Sequence, residues 1–257
     1  MPEPTPPVPV FSLQSIAKNY GGVRALSPLD LDVHAGDVLA ICGDNGAGKS
    51  TLIKIMSGAQ EPSQGSMRLR GREVRFRSPH DALQQGVATI YQELALAPRL
   101  SIAANVFMGA ELTRTLGLPF LRVLDLPRMA REARGYLRRL SVQIDDMSRP
   151  VEGLSGGQRQ AVAISRALRW DAGIIIMDEP TAALGVKETA QVLDTIRHLK
   201  ADGRTVILIS HNMRDVAALA TRVVVLKGGR KVHDLPIGTL TADDLSHMIM
   251  AAPAEAA

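Results

Sequence analysis

Hydrophobic and polar positions change period several times along the chain. Phe11, Leu13 and Ile16 stand in one run and Leu29, Leu31 and Val33 in another. Alternation of this kind predicts an antiparallel pair of strands, joined through Asn19-Tyr20-Gly21-Gly22. Short continuous apolar runs follow at Val38–Cys42, Val87–Ile90, Gly173–Met177 and Thr205–Ile209. Such runs mark strands buried on both faces of a parallel sheet. Between them the period becomes helical. Leu52 to Met56 follows the first buried strand, and Val162, Ala163 and Ala167 precede the third. Val192, Leu193, Ile196 and Leu199 share one helical face, closed by Gly203.

Punctuation residues set the boundaries. Ser78-Pro79-His80-Asp81 carries a cap, a proline at the first helical position and an acid at the third, so it starts a helix that ends near Gly86. Short strands are expected at Ser66–Leu69 and Val74–Phe76. Met129, Ala133, Tyr136, Leu137 and Leu140 give a further amphipathic helix, with arginines along its solvated side. Met213–Ala220 predicts another helix. Val223–Leu226 and Lys231–His233 predict a hairpin through Gly228-Gly229. Thr241 to Asp244 caps a last helix. Strands alternating with helices imply an α/β fold with a mostly parallel core sheet and an N-terminal antiparallel β part. The compositional change from residue 94 to about 160 reads as a helical subdomain inserted in that core. One domain is expected over 11–250, with a disordered proline-rich lead over 1–10 and a loose tail over 251–257.

Composition narrows the class. The chain has 257 residues, 46% hydrophobic and 22% charged, as an ordinary globular protein does. Aromatics make up only 3%, too few for base-stacking platforms, and the net charge of +4 is a mild excess. No nucleic-acid partner is expected. Cys42 is the only cysteine, which excludes an internal disulfide and fits a small buried hydrophobe. No run of about 18 apolar residues is present, so no membrane-spanning helix is expected.

The candidate chemistry lies where strands end. Gly43-Asp44-Asn45-Gly46-Ala47-Gly48-Lys49-Ser50-Thr51 reads G-x-x-x-x-G-K-S between a strand and a helix. Glycines let the backbone approach a phosphate, and its N–H groups converge at a helix N-terminus. Lys49 then reaches the β- and γ-phosphates, and the Ser50 hydroxyl binds Mg²⁺. Gln92, Asp178-Glu179 and His211 directly follow other strand-like runs. Open parallel sheets gather ligand groups at that edge. Ser155 and Gln158 have the spacing of a capping box at the start of a helix.

These residues together resemble the nucleotide-binding subunit of an ABC transporter, over roughly Phe11 to Met250. Gly43 to Ser50 matches the Walker A motif and Ile174 to Asp178 the Walker B strand. Leu154-Ser155-Gly156-Gly157-Gln158 matches the signature that separates this family from other P-loop ATPases. Glu179, Gln92 and His211 match the catalytic glutamate, the Q-loop and the switch histidine. Tyr20 matches the aromatic that stacks on adenine. The resemblance implies ATP and Mg²⁺, the metal held by Ser50 and, through water, by Asp178 and Gln92. It implies a head-to-tail homodimer, in which Ser155, Gly156, Gly157 and Gln158 meet the ATP of the opposite subunit. It also implies membrane permease subunits, a solute-binding protein of the same system, and a peripheral place on the cytoplasmic membrane face.

Tyr91–Gly109 and Glu179–Val186 are similar to the simple-sugar importer cassettes of the ribose, xylose and fructose type. A cassette for another cargo, such as amino acids or lipids, is the alternative. A non-transport ABC ATPase of repair or translation is a second alternative; it lacks its expected coiled coil or second cassette here. Leu94–Gly109 is expected to supply much of the permease groove, with Leu96, Pro98, Leu100, Val106, Phe107 and Met108 as contacts. One departure stands out: Gly185 occupies the position where the family usually has the aspartate of its D-loop.

Overall fold

The computed structural model describes residues 8–117 and 121–251. The expected lead and tail therefore fall largely outside the described residues. The N-terminal hairpin pairs β1 (Phe11–Tyr20) with β2 (Val23–Val33). Val10 already joins it, its N–H donating to the Val33 carbonyl at 2.8 Å. Next come β3 (Val38–Gly43), α1 (Lys49–Met56), β4 (Gln64–Leu69), β5 (Arg72–Val74) and α2 (Pro79–Gln84). They are followed by β6 (Val87–Ile90), α3 (Ile102–Phe107), β7 (Thr113–Thr115), β8 (Arg122–Leu124) and α4 (Leu126–Arg139). The second half holds α5 (Gly156–Arg169), β9 (Ile174–Asp178), α6 (Val186–Ala201), β10 (Thr205–Ile209) and α7 (Met213–Leu219). It closes with β11 (Arg222–Lys227), β12 (Arg230–Pro236) and α8 (Ala242–Ala251).

Two main sheets result. The first is antiparallel, in the order β2-β1-β4-β5. The second runs β12-β11-β3-β10-β9-β6, and every pair in it is parallel except β11 with β12. The continuous apolar runs explain that choice. Every residue of β3 and β10 is buried, as are the first four of β9. Strands covered on both faces need helices on both faces, and crossover helices impose the parallel direction.

Helices α3, α4 and α5 do not carry a separate core. Phe107, Met129, Ala133, Leu137 and Ile164 belong to one buried cluster with Ile175, Met177, Val206 and Leu208 of the sheet. The other sheet face packs Leu39, Ile41, Ile176 and Ile207 against α1 and the antiparallel sheet. Asn105, fully buried on α3, fixes the loop before its own helix. Its amide donates to the carbonyls of Ala97 (3.1 Å), Leu100 (3.2 Å) and Ser101 (3.0 Å), and accepts from Ala97 N–H at 2.8 Å. A buried amide costs little only when so satisfied.

Two local expectations are corrected. The strand expected at Val74–Phe76 is β5, which ends at Val74; Phe76 lies beyond it, buried with its ring 6.1 Å from that of Phe11. The β7–β8 hairpin was not expected, because its exposed Thr-Arg-Thr and Arg-Val-Leu segments are too short to show a period.

Candidate functional site

Strand order explains why distant residues meet. In the parallel run β3-β10-β9-β6, all four carboxyl ends lie on one edge. They deliver, in spatial order, the Gly43–Ser50 loop, His211, Asp178-Glu179 and Gln92. This is the edge where open α/β sheets bind ligands.

The loop after β3 needs its glycines. Gly43 has φ 148°, and a Cβ there would stand 2.2 Å from the Leu226 carbonyl oxygen of the neighbouring strand. Gly48 caps α1 in the left-handed region at φ 101°. Lys49 folds back across the loop, its ammonium donating to the carbonyls of Gly43 (2.7 Å) and Asp44 (2.9 Å). A cavity of about 600 Å³ opens here, lined by Asn45 to Thr51, Gln92, Asp178 and Glu179. Converging N–H groups at the start of α1 and a lysine ammonium suit a polyphosphate.

The acidic side of the cavity is ordered by β9. Burial and the neighbouring Glu179 raise the pKa of Asp178, against the pull of Lys49 and Lys54. Glu179 holds a left-handed φ of 50°, unusual for a residue with a Cβ, and its N–H donates to Ile209 O at 2.9 Å. Strain of this kind concentrates where a side chain must be aimed. The Glu179 carboxylate lies 2.8 Å from His211 Nδ1. Beneath the loop, burial pushes the Cys42 thiol up to about 12, so it is a structural hydrophobe and not a nucleophile.

The residues fit Mg²⁺. Ser50, Asp178 and Gln92 line the same cavity. Mg²⁺ is held by one or two carboxylates together with phosphate oxygens, and this set offers a hydroxyl, a carboxylate and an amide oxygen. Among the described residues no cluster of three His, Cys, Asp or Glu forms a cage of its own.

Three predicted groups stand apart from the loop cavity, the first being His211, which lines a neighbouring cavity of about 460 Å³ with Gly43, Asp44 and Asn45. Ser155 caps α5, accepting from Gln158 N–H at 3.3 Å, while Gln158 Oε1 accepts from Ser155 N–H at 3.1 Å. Gly156 lines a different cavity of about 360 Å³, shared with Gln92, Glu179 and Leu184. Gly157 is seated on α6, where an added Cβ would meet Gln191 Oε1 at 2.7 Å. Tyr20 is 44% exposed at the end of β1, its hydroxyl donating to Gln60 Oε1 and its ring 5.5 Å from the Lys18 ammonium. The cavity lining takes Val23, Arg24 and Ala25 from the next strand instead.

Gly228 and Gly229 also line the cavity, and sequence reasoning gave them only a turn. Gly229 N–H donates to Ala47 O at 3.1 Å, and Gly229 O accepts from Ser27 N–H at 2.8 Å. The Gly-Gly pair was the available signal, since close backbone approach demands it as much as a turn does.

Strand, glycine loop and Lys-Ser helix start, ringed by acid, amide and imidazole, define a P-loop nucleotide-binding protein. Residues 26–182 match the ABC transporter family. A fructose import ATP-binding protein of Rhizobium meliloti is 46% identical over 227 residues, covering 87% of each chain. A xylose/arabinose import ATP-binding protein of Sulfolobus acidocaldarius is 43% identical, covering 86% of each. A ribose import ATP-binding protein of Streptomyces avermitilis is 41% identical over 95% of this chain but only 47% of its own length. Among solved structures, an ABC transporter cassette in its ADP conformation matches with a TM-score of 0.78 at 24% identity, covering 94% of each chain. A dimeric cassette bound to ADP and Pi matches at 0.72 and 24%, covering 88% of this chain and 98% of that one. At that identity the solved structures establish the fold. The chain belongs to the ABC transporter family, whose ATP-binding subunits are ATPases.

Proposed function

We propose that this chain binds and hydrolyses ATP to drive import of a simple sugar. The observation that carries the ATPase reading is the shared edge that brings Lys49, Asp178, Glu179 and His211 together. The sugar is supported by the fructose, xylose/arabinose and ribose import relatives.

ATP phosphates lie along the N–H groups from Gly46 to Thr51, with Lys49 leaving its carbonyl partners for the β- and γ-oxygens. Ser50 and, through water, Asp178 and Gln92 would hold Mg²⁺, whose charge would offset that of the phosphates. Glu179 accepts a hydrogen bond from the attacking water. His211 donates to the γ-phosphate as its charge develops. Tyr20 reaches adenine only by leaving Gln60. Ser155 and Gly157, far along the chain and outside the P-loop cavity, meet the γ-phosphate held by a second copy in a head-to-tail dimer.

Among the described residues no helix is long and apolar enough to cross a membrane, so moving a solute needs a permease partner. We place the chain on the cytoplasmic face of the membrane, beside a permease served by a solute-binding protein. Residues 94–160 act as the helical subdomain of the cassette. The permease helix docks in the apolar cavity of about 360 Å³ lined by Leu83, Ile90, Tyr91, Met108, Ala163 and Trp170, among others. Of the contacts expected from sequence, Met108 lines this cavity, Leu96 lines the cavity beside Gln92, and Leu100 is exposed. Val106 and Phe107 are buried core residues, whereas Met108 and Gly109 do line the cavity.

The test is reconstitution with a co-expressed sugar permease and single-cysteine crosslinking from position 108. Crosslinks with ATP-driven sugar uptake support the reading. A permease that binds and moves only another cargo overturns the sugar, and a chain that binds no permease overturns the importer.

A further inference from the structure

Gly185 cannot offer the side chain that the family usually places there. The carboxylate nearest to it belongs to Glu188, one turn into α6. Glu188 Oε2 accepts from the Gly185 N–H at 3.3 Å. Its other oxygen reaches a different element: Oε1 accepts from the Gly156 N–H, at the start of α5, at 2.8 Å.

The two helix starts are pressed together around that carboxylate. A Cβ on Gly156 would meet Leu184 Cδ2 at 2.4 Å and both Glu188 oxygens at 3.4 Å. A Cβ on Gly157 would meet Gln191 Oε1 at 2.7 Å and the Glu188 carbonyl at 3.4 Å. The paired glycines thus let the α5 start rest directly on the first turns of α6. Leu184 and Gly185 in turn continue the segment that leaves β9 through Glu179. A continuous path runs from Glu179 along the chain to Leu184 and Glu188, and from there to Gly156.

The N–H groups at the start of α5 divide their work. Glu188 takes the first, and the Ser155 hydroxyl takes the third, that of Gln158. The second, that of Gly157, is the one needed for a phosphate from a second copy. A carboxylate on the first N–H fixes the direction in which the second points. Charge-assisted bonds at a helix N-terminus are among the stronger neutral-to-ion contacts available for this.

We propose that Glu188 is a positioning residue for ATP bound between two copies: its carboxylate, shared by the Gly156 and Gly185 N–H groups, sets the α5 start against the segment after Glu179 in the same subunit. This rests on the dimer reading given above. It gives the chain a carboxylate at the D-loop in spite of Gly185, acting three residues later and within the subunit.

A purely structural role, capping α6, is separable. Position 185 has φ −71° and extended ψ, and the space beside it holds only Glu188 Oε2, 3.9 Å from an added Cβ. Gly185→Asp therefore fits and supplies an N-cap for α6. The experiment titrates ATP-dependent dimerisation of the full chain by gel filtration in a Glu179→Gln background, alongside Tm. Glu188→Ala lowers Tm and raises the half-saturating ATP concentration about tenfold, the size of one lost hydrogen bond to a charged group. Adding Gly185→Asp restores Tm and leaves the ATP requirement raised. Glu188→Gln, which keeps an acceptor for Gly156, lies between wild type and Glu188→Ala. Recovery of the ATP requirement together with Tm overturns the proposal, as does an unchanged requirement in Glu188→Ala. A Glu179→Gln parent that forms no ATP-dependent dimer overturns the dimer reading and this proposal with it.

Discussion

His211 Nδ1 and Glu179 Oε2 lie 2.8 Å apart, bridging the ends of neighbouring strands β10 and β9. The glutamate side chain is 16% exposed and the histidine 72%, so the pair is held by the buried member and opens from the exposed one. Both groups are proposed to act on ATP, one on water and one on the γ-phosphate, so they part when the nucleotide enters. His211→Ala leaves Glu179 in place and removes the donor. Phosphate release falls about a hundredfold with little change in ATP affinity, as for the loss of one oxyanion-stabilising donor. Equal loss of affinity would place His211 in ground-state binding instead.

Lys49 tests the loop. Its ammonium sits across the Gly43 and Asp44 carbonyls and lines the cavity proposed to hold the phosphates. Lys49→Ala removes ATP binding and turnover together, measured by nucleotide filter binding and phosphate release. Retained affinity with lost turnover would show that the lysine acts only at the transition state.

Gly43→Ala tests the fold of the same loop. The new methyl group would face the Leu226 carbonyl at 2.2 Å from a φ that alanine avoids. Backbone cannot yield as a side-chain end does. A loss of about 2–4 kcal/mol is expected, from strain at a special φ/ψ plus overpacking. Chemical denaturation measures it, and a loss below about 0.5 kcal/mol, the size of an ordinary surface change, would contradict the close contact.

Much of the site was legible because it sits in unbroken local motifs. Gly43–Ser50, Asp178-Glu179 and His211 each follow a run that only a buried strand explains. What could not be read is long-range. The fully apolar strands β3, β9 and β10 carry no periodic mark of their neighbours, so their spatial order came only from the structure. Apolar spacing likewise could not tell core from cavity wall: Val106 and Phe107 went inward while Met108, the next residue, lines the cavity. The bond from Glu188 to Gly156 joins residues 32 apart, and nothing local announces it. Tyr20 is a related case: the motif position is occupied, but nothing local announces that its hydroxyl is engaged with Gln60, 40 residues away.

Acid sensitivity has a defined source in the β11–β12 hairpin. Asp234 is partly buried, which raises its pKa, but hydrogen bonds and charge from Arg222 and Lys231 outweigh that and lower it overall. The contacts are 2.6 and 2.8 Å to Arg222 and 2.9 Å to Lys231. A carboxylate depressed in the folded state binds fewer protons there than in the unfolded chain. Its stabilisation is present above the ordinary value of 3.8 and is lost as pH falls through the folded value. Asp234→Asn therefore lowers Tm near neutrality, with a cost of about 1–3 kcal/mol from the uncompensated Arg222. The gap from wild type narrows in a Tm series taken down toward about pH 3. A constant gap would mean that packing, not charge, sets the effect.

The cavity proposed to receive the permease predicts uncoupling. Met108→Glu places a charge among Leu83, Ile90, Ala163 and Trp170. In a reconstituted transporter, uptake falls by more than about tenfold while ATP hydrolysis falls far less, since burying an unpaired charge at an interface costs several kcal/mol. Uptake and hydrolysis falling in parallel would place Met108 in the folding core.

The most direct measurement compares ATP bound and phosphate released by the full chain with and without Glu179→Gln, in the presence of Mg²⁺. The variant is expected to bind ATP as wild type does, to release phosphate at least about a hundredfold more slowly, and to accumulate as an ATP-bound dimer. Phosphate release by Glu179→Gln at the wild-type rate would contradict this expectation.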